Sequence, residues 1–339
     1  MYSCHFPFRK GENVMLKFRS QQICRHKLES SMETNSNSAS SNPSVSSLRW
    51  KILRRAVLSR AKNPEGESQL GLKLISRKAA KGFNLIQCQL LHHDHESRDA
   101  RFCYTLPIHG CPKLVLTQRM DDNADFSDFE ICNRHNIDNT GLVCQWPSED
   151  VLAYYCLSHA DMFRSKNVIE LGSGYGLAGL VIAAATEALE VVISDGNPQV
   201  VDYILHNINT NSEAFDGTRV KSMQLHWNQK EVSNLLHTFD IVVASDCTFF
   251  KEFHKDLARI TELLLKKAGH SEAIFFSPKR GNSLDKFLEE IEEKGLLFSI
   301  TEMYDAEIWT HHQQFMNRDE SWTGYEKDHC YPLLIRITR

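Results

Sequence analysis

The sequence predicts an α/β fold: an open seven-strand sheet covered by helices on both faces, preceded by a small β-containing N-terminal module. Three observations predict it. From about residue 139 onward, short apolar strands alternate with helical segments at the spacing of repeated β-α units. One of these strands runs into a glycine-rich turn and directly on into a helix, over Val168 to Leu180. The next strand ends on Asp195, at the edge where open parallel sheets bind their ligands.

The elements follow in order. Val151 to His159 reads as a helix with Ser148 as its N-cap. Asn167 to Leu171 is an apolar strand, Leu177 to Ala188 a helix and Glu190 to Ser194 a strand. Pro198 to Asn209 is a helix with proline in its first turn. Lys221 to Leu225 and Phe239 to Ser245 are strands, and Phe253 to Lys267 is a helix. Ala273 to Ser277, Phe298 to Met303 and Leu333 to Thr338 supply the remaining strands, with a helix from Ser283 to Lys294. The strands are expected to run parallel. The segment 304–331 receives no element.

Upstream, Phe83-Asn84-Leu85-Ile86 and Lys113-Leu114-Val115-Leu116 are short apolar runs between turn residues, and mark the β module. Trp50, Leu53, Val57 and Leu58 form one apolar stripe of a helix flanked by Arg49, Lys51, Arg54, Arg55, Arg60 and Lys62. Residues 33–47 are rich in Ser and Asn and are expected to be disordered. Residues 1–31 are basic, and read either as an organelle transit peptide or as an extension ahead of a second start at Met32. The chain thus divides into an extension over 1–47, a helix and β module over 48–138, and the main domain over 139–339.

Composition bounds the function. A chain of 339 residues, 42% hydrophobic, can fill one sizeable domain with appendages or two modest ones. A net charge of −4 does not suggest general nucleic-acid binding. No apolar run is long enough to cross a bilayer, so a soluble protein without a membrane partner is expected; a monomer in cytoplasm and nucleus is a separate expectation. The 10 cysteines are dispersed with no C-x-x-C pair, which fits a reducing compartment and no disulfide framework. His92, His93, Asp94 and His95 have no matching partner motif and read as a solvated loop, so no metal is expected.

The chemistry gathers at Glu170-Leu171-Gly172-Ser173-Gly174-Tyr175-Gly176. Glycines let the turn take unusual dihedrals and let a ligand lie against bare backbone. Dinucleotide sites share the strand, turn and helix, and also a carboxylate such as Asp195 for the ribose hydroxyls. They favour G-x-G-x-x-G, however, and place a pyrophosphate where Glu170 would repel it. A cofactor carrying a sulfonium and an ammonium suits that carboxylate better. E-x-G-x-G-x-G resembles motif I of the S-adenosylmethionine methyltransferases.

With Gln145-Trp146-Pro147, Leu225-His226-Trp227 and the run Phe239 to Phe249, the sequence resembles the family 16 lysine methyltransferases, which act on non-histone proteins. The resemblance implies a Rossmann-like seven-strand class I methyltransferase sheet and S-adenosyl-L-methionine as cofactor. It implies cofactor contacts from Trp146, Glu170, Gly172, Ser173, Gly174, Asp195, Trp227 and Ser245, with Trp227 covering the adenine and Trp146 closing over the cofactor. Asp246 would be the catalytic residue facing the incoming amine. The family's D/E-x-x-Y is here Asp246-Cys247-Thr248-Phe249, which keeps the acid and lacks the tyrosine hydroxyl.

Segments outside the cofactor motifs, among them Asp138-Asn139-Thr140-Gly141, Trp146 to Leu157, Arg280-Gly281-Asn282 and Tyr331-Pro332-Leu333-Leu334, resemble the branch of the family that methylates calmodulin. That implies calmodulin as protein substrate and trimethylation of one lysine in its C-terminal lobe. The basic helix over 48–62 would then either dock an acidic partner or pack on the enzyme itself.

A lysine must lose its proton before attack, and burial promotes the loss whereas a carboxylate opposes it. Asp246 is therefore assigned to positioning, with proton removal through water. Phe249 or Trp309 would supply a π face for the methylated cation. The rival readings are a nicotinamide dehydrogenase, a methyltransferase acting on another lysine, a histidine or a small molecule, and a non-catalytic binding protein of the same fold.

Overall fold

The computed structural model describes residues 82–93, 98–120, 126–143, 146–317, 322 and 324–339. The transit segment, the Ser/Asn-rich stretch and the basic helix expected over 49–58 lie outside the described residues.

Three antiparallel strands come first: β1 (Gln87–His93), β2 (Asp99–Thr105) and β3 (Lys113–Arg119), in the order β1-β2-β3. The run Phe83 to Ile86 is not itself a strand. It leads into β1, and Phe83, Leu85 and Ile86 are buried. Three helices follow: α1 (Phe126–His135), the single turn α2 (Thr140–Val143) and α3 (Pro147–Ser158). Then come β4 (Asn167–Leu171), α4 (Leu177–Ala185), β5 (Glu190–Asp195), α5 (Pro198–Thr210) and β6 (Arg219–Gln224). The chain continues through β7 (Ile241–Ser245), α6 (His254–Leu264), β8 (Glu272–Ser277), α7 (Ser283–Glu293) and β9 (Leu297–Thr301). It ends with α8 (Ala306–Met316), α9 (Lys327–Cys330) and β10 (Leu333–Thr338).

The seven-strand sheet has the order β6-β5-β4-β7-β8-β10-β9. From β4 the chain winds outward to β6, then returns to the other side of β4 for β7, so the strand order reverses between β4 and β7. Ligand crevices form at such a reversal, outside the carboxyl ends of the strands. The central strands read as unbroken apolar runs because helices cover both faces: all six residues of β8 are buried.

The sheet is mixed, which corrects the expectation of a parallel one. β10 runs antiparallel to both neighbours, with Leu333 opposite Ser277 and Leu334 opposite Thr301. The reason lies in the segment that received no element. α8 and α9 lie between β9 and β10, and Leu334 pairs with Thr301, so β10 starts at the end of the sheet where β9 finishes and enters reversed. The N-cap of α3 also differs. Trp146 takes that place with Pro147 following, and the Ser148 hydroxyl turns away into the site described below.

The small sheet is held against the main domain by side chains that imitate a neighbouring strand. Asn207 on α5 and Asn211, its C-cap, stand one turn apart, so their amides share a face. Asn211 accepts from the Val115 N–H and donates to the Val115 carbonyl, both at 2.8 Å. Asn207 does the same at Thr117, at 2.8 and 3.3 Å. At the next position on that edge, the Arg119 N–H donates to the Tyr175 hydroxyl at 3.1 Å, and that hydroxyl donates to the Leu142 carbonyl at 2.6 Å. Leu114 and Leu116 of β3 share one apolar core with Ile204 and Ile208 of α5, so this sheet and the main domain have a common interior.

Removing either amide takes the side-chain partners from a half-buried N–H and C=O of β3. Asn207→Ala and Asn211→Ala are each expected to lower the unfolding free energy by about 1–3 kcal/mol. Urea unfolding measures this, and wild-type stability for either variant would mean that water replaces the amide.

Candidate active site

The turn between β4 and α4 is built on left-handed backbone at Gly172 (φ 60°), Gly174 (φ 56°) and Gly176 (φ 83°). Gly172 also needs the absence of a side chain. A Cβ there would stand 2.8 Å from Cys247 Sγ and 3.1 Å from Trp227 Cζ2. The bare backbone therefore lets the ends of β4 and β7 and the Trp227 ring close on one another.

Asp195 ends β5 and faces this turn. Its carboxylate accepts from the Gly174 N–H at 3.2 Å and from the Asn197 N–H at 2.8 Å. Burial pushes its pKa up to about 6, against the pull of those N–H groups. The turn, Asp195 and the loop after β7 surround a cleft at the reversal of strand order. Trp146, Gly172, Ser173, Gly174, Trp227 and Ser245, all site residues expected from the sequence, line it together with Asp195 and Asp246.

Glu170 does not line it, which corrects its expected place. It is buried behind the turn, where its carboxylate accepts from the Gly179 N–H at 2.8 Å. Burial, and then the neighbouring Glu149, push its pKa well above the ordinary carboxylate range. The sequence locates Glu170 beside the glycines but not which side of the turn its side chain takes.

Glu149 is the carboxylate that the sequence reading missed. It sits in the first turn of α3, lines the cleft, and accepts from the Leu177 N–H at 3.2 Å. Burial pushes its pKa up to about 7. Its sequence signal was its place in the Trp146 to Leu157 run, but helical spacing alone does not aim Glu149 inward rather than Asp150. Asp150 instead accepts from the Leu85 and Ile86 N–H groups at 3.0 and 3.2 Å.

Asp246 is buried, and its carboxylate is engaged on both oxygens. Arg280 donates to Oδ1 from Nε at 3.1 Å and from Nη2 at 2.8 Å, and to Oδ2 from Nη2 at 2.8 Å. The Ser148 hydroxyl adds a bond to Oδ2 at 3.2 Å. Burial still leaves the pKa of Asp246 above its ordinary value, while Arg280 draws it down. Asp246 thus lines the cleft as a carboxylate already held by a guanidinium, a partner the sequence reading did not foresee. The Arg280 guanidinium lies 5.0 Å from the Trp146 ring and 5.5 Å from the Phe249 ring. Trp309 lies away from the cleft, against His312 and Tyr331, with ring centroids 5.0 and 5.9 Å apart.

The cleft thus combines carboxylates (Glu149, Asp195, Asp246), aromatic walls (Trp146, Trp227, Phe249) and glycine backbone. That combination suits a ligand with flat, hydroxylated and cationic parts. Ser173 Oγ and Asn197 Nδ2 are buried polar atoms of cleft residues with no partner among the described residues, and can serve such a ligand.

The raised carboxylates have a pH consequence. Folding raises Glu149 from 4.5 to about 7 and Asp195 from 3.8 to about 6, so the ligand-free fold binds protons more tightly than the unfolded chain. The stability they give is fully present below about pH 4 and is lost as pH rises through about 6 to 7. Glu149→Gln is expected to flatten that loss, measured by urea unfolding at several pH values. An unchanged pH slope would mean that Glu149 is solvated.

Comparison with known proteins bears on this site. The family described as lysine methyltransferase matches residues 129–294, which include the turn, Asp195 and Asp246. A calmodulin-lysine N-methyltransferase of Arabidopsis thaliana is 64% identical over 298 residues, covering 87% of this chain and 97% of that protein. The protein-lysine N-methyltransferase EEF2KMT of Mus musculus is 24% identical over 186 residues, 51% of this chain and 55% of that one. METTL21E, a protein-lysine methyltransferase of Mus musculus, is 26% identical over 164 residues, 47% and 64% of the two chains. On its similarity to the plant enzyme across nearly the whole of that protein, and on the match spanning the cleft, the chain belongs to the lysine methyltransferase family.

Proposed function

We propose that the protein is an S-adenosylmethionine-dependent lysine N-methyltransferase that trimethylates a lysine of calmodulin. The observation that carries the reading is the 64% identity over 97% of a calmodulin-lysine N-methyltransferase. It extends far beyond the glycine turn and Asp195, which methyltransferases with many other substrates also need.

The cleft residues fit the cofactor. Asp195 would accept ribose hydroxyl hydrogens, Gly172 and Gly174 would offer backbone without side chains, and Trp227 would offer a ring face. Ser173 Oγ and Asn197 Nδ2 supply unused donors, and Glu149 supplies negative charge for a cationic ligand. When bound, S-adenosylmethionine supplies an electrophilic methyl group and its own leaving group.

The protein's part is alignment and desolvation. Trp146, Phe249 and Phe250 form the apolar side of the cleft near Asp246, where an acceptor amine sheds water and favours its neutral form. The same rings favour the fixed cation that trimethylation produces. Phe249 stands where the family has tyrosine, so this wall contributes a face and no hydroxyl.

The test is methyl transfer from labelled cofactor to purified calmodulin, followed by mass spectrometry of its peptides. Trimethylation of one lysine is expected. Label on a histidine or on another protein, with none on calmodulin, would overturn the substrate. Calorimetric binding of NAD without binding of S-adenosylhomocysteine would overturn the class.

Two variants probe the site. Asp195→Ala is expected to weaken cofactor binding by about 1.5–3 kcal/mol while the protein remains folded, and unchanged affinity by calorimetry would remove Asp195 from the cofactor site. Asp246→Asn should bind cofactor and lose most turnover on calmodulin, a role refuted by wild-type rates.

A further inference from the structure

The fold goes to some length to join Asp246, in the wall of the cleft, to Arg280 behind it. Both residues stand on left-handed backbone, with φ 53° and 47°, a region non-glycine side chains disfavour. Asp246 is fixed there by its N–H donating to the Phe276 carbonyl at 2.8 Å, and Arg280 by its N–H donating to the Asp328 carbonyl at 2.7 Å. Two strained residues, from the turns after β7 and β8, thus aim their side chains at each other. The Arg280 side chain is 17% exposed and that of Asp246 2%. Asp246, Trp146 and Phe249 line the cleft while Arg280 does not, so the guanidinium backs the wall rather than filling the site.

We propose that Arg280 is a positioning residue that grips both oxygens of Asp246 and cancels its charge, so that an acceptor lysine entering beside Asp246 gives its proton to water and presents a neutral amine. The proposal rests on the lysine methyltransferase reading. A protonated amine has no lone pair with which to attack. An unpaired buried carboxylate beside it would hold the two groups to one shared proton that neutral pH does not remove. A guanidinium bound to that carboxylate removes the attraction and leaves the apolar rings to favour the uncharged amine. The planar fork of arginine makes this grip bidentate, which lysine cannot do.

The other groups around the pair do not replace Arg280. Ser148, from α3, gives an uncharged hydrogen bond. The thiols of Cys247, beside Asp246, and of Cys330, on α9, are pushed up by burial and stay neutral. Glu149, also on α3, bonds to the Leu177 N–H.

Two measurements on the full-length protein test this. The first needs no turnover. The Asp246 carboxyl, followed by carbon NMR and assigned by its loss in Asp246→Asn, should titrate about one pH unit or more higher in Arg280→Ala than in wild type. An unmoved titration overturns the pairing. The second is the pH profile of kcat/KM with calmodulin. Its rising limb should move to higher pH by about one unit in Arg280→Ala, by less in Arg280→Lys, and, in the residual activity of Arg280→Ala/Asp246→Asn, its midpoint should return towards the wild-type pH although the rate stays low. An equal loss at every pH, or a double variant indistinguishable from Arg280→Ala, overturns the proposal. Should Arg280→Ala fail to fold, Arg280→Lys carries both comparisons. If the wild-type protein transfers no methyl group to calmodulin, the proposed function fails, and the carboxyl titration still decides whether Arg280 governs Asp246.

Discussion

The contact on which the site depends is the one between the Cα of Gly172 and the side chains of Cys247 and Trp227. Three parts of the chain meet there: the end of β4, the turn after β7 and the segment after β6. A side chain at Gly172 would drive them apart by meeting Cys247 Sγ at 2.8 Å. Because they meet, Asp195 can reach the Gly174 N–H and Ser245 can line the same cleft as Gly172. The geometry is paid for at one residue, whose type is visible in the sequence.

That economy explains what could be read before the fold was seen. β4 and β10 span the very residues that the apolar runs marked, and the glycine turn and Asp195 stand where strand, turn and helix spacing put them. Such features are local: they follow from the order of residues along a few turns of chain. The direction of β10 is not local, because it depends on where α8 and α9 leave the chain. The facing of Glu149, the withdrawal of Glu170 behind the turn and the grip of Arg280 on Asp246 are contacts between distant elements. Asp246 and Arg280 are separated by 34 positions, and no periodicity links them. Ser148 shows the same limit on a smaller scale. Its identity and place fit an N-cap, and a partner 98 positions away takes its hydroxyl instead.

The cleft gathers negative groups in a place that disfavours charge. Burial raises Glu149, Asp195 and Glu170 together, and each is relieved by backbone N–H groups rather than by a cation. Asp246 differs in having a guanidinium of its own. The site therefore has two regions of unlike electrostatics. One has carboxylates that a cationic cofactor would stabilise, and the other a carboxylate already neutralised beside aromatic rings. A methyl donor that arrives charged and an amine that must react uncharged call for that division.

The edge of β3 has a consequence for association. A strand with free N–H and C=O groups is a template on which another chain can extend a sheet, the usual route to aggregation in β proteins. Here Asn211, Asn207 and Tyr175 take the successive outward N–H groups of Val115, Thr117 and Arg119. A foreign strand would have to displace three side chains, one of them rooted in the glycine turn. Displacing Tyr175 would also break its bond to the Leu142 carbonyl, so recruitment at this edge disturbs the glycine turn itself.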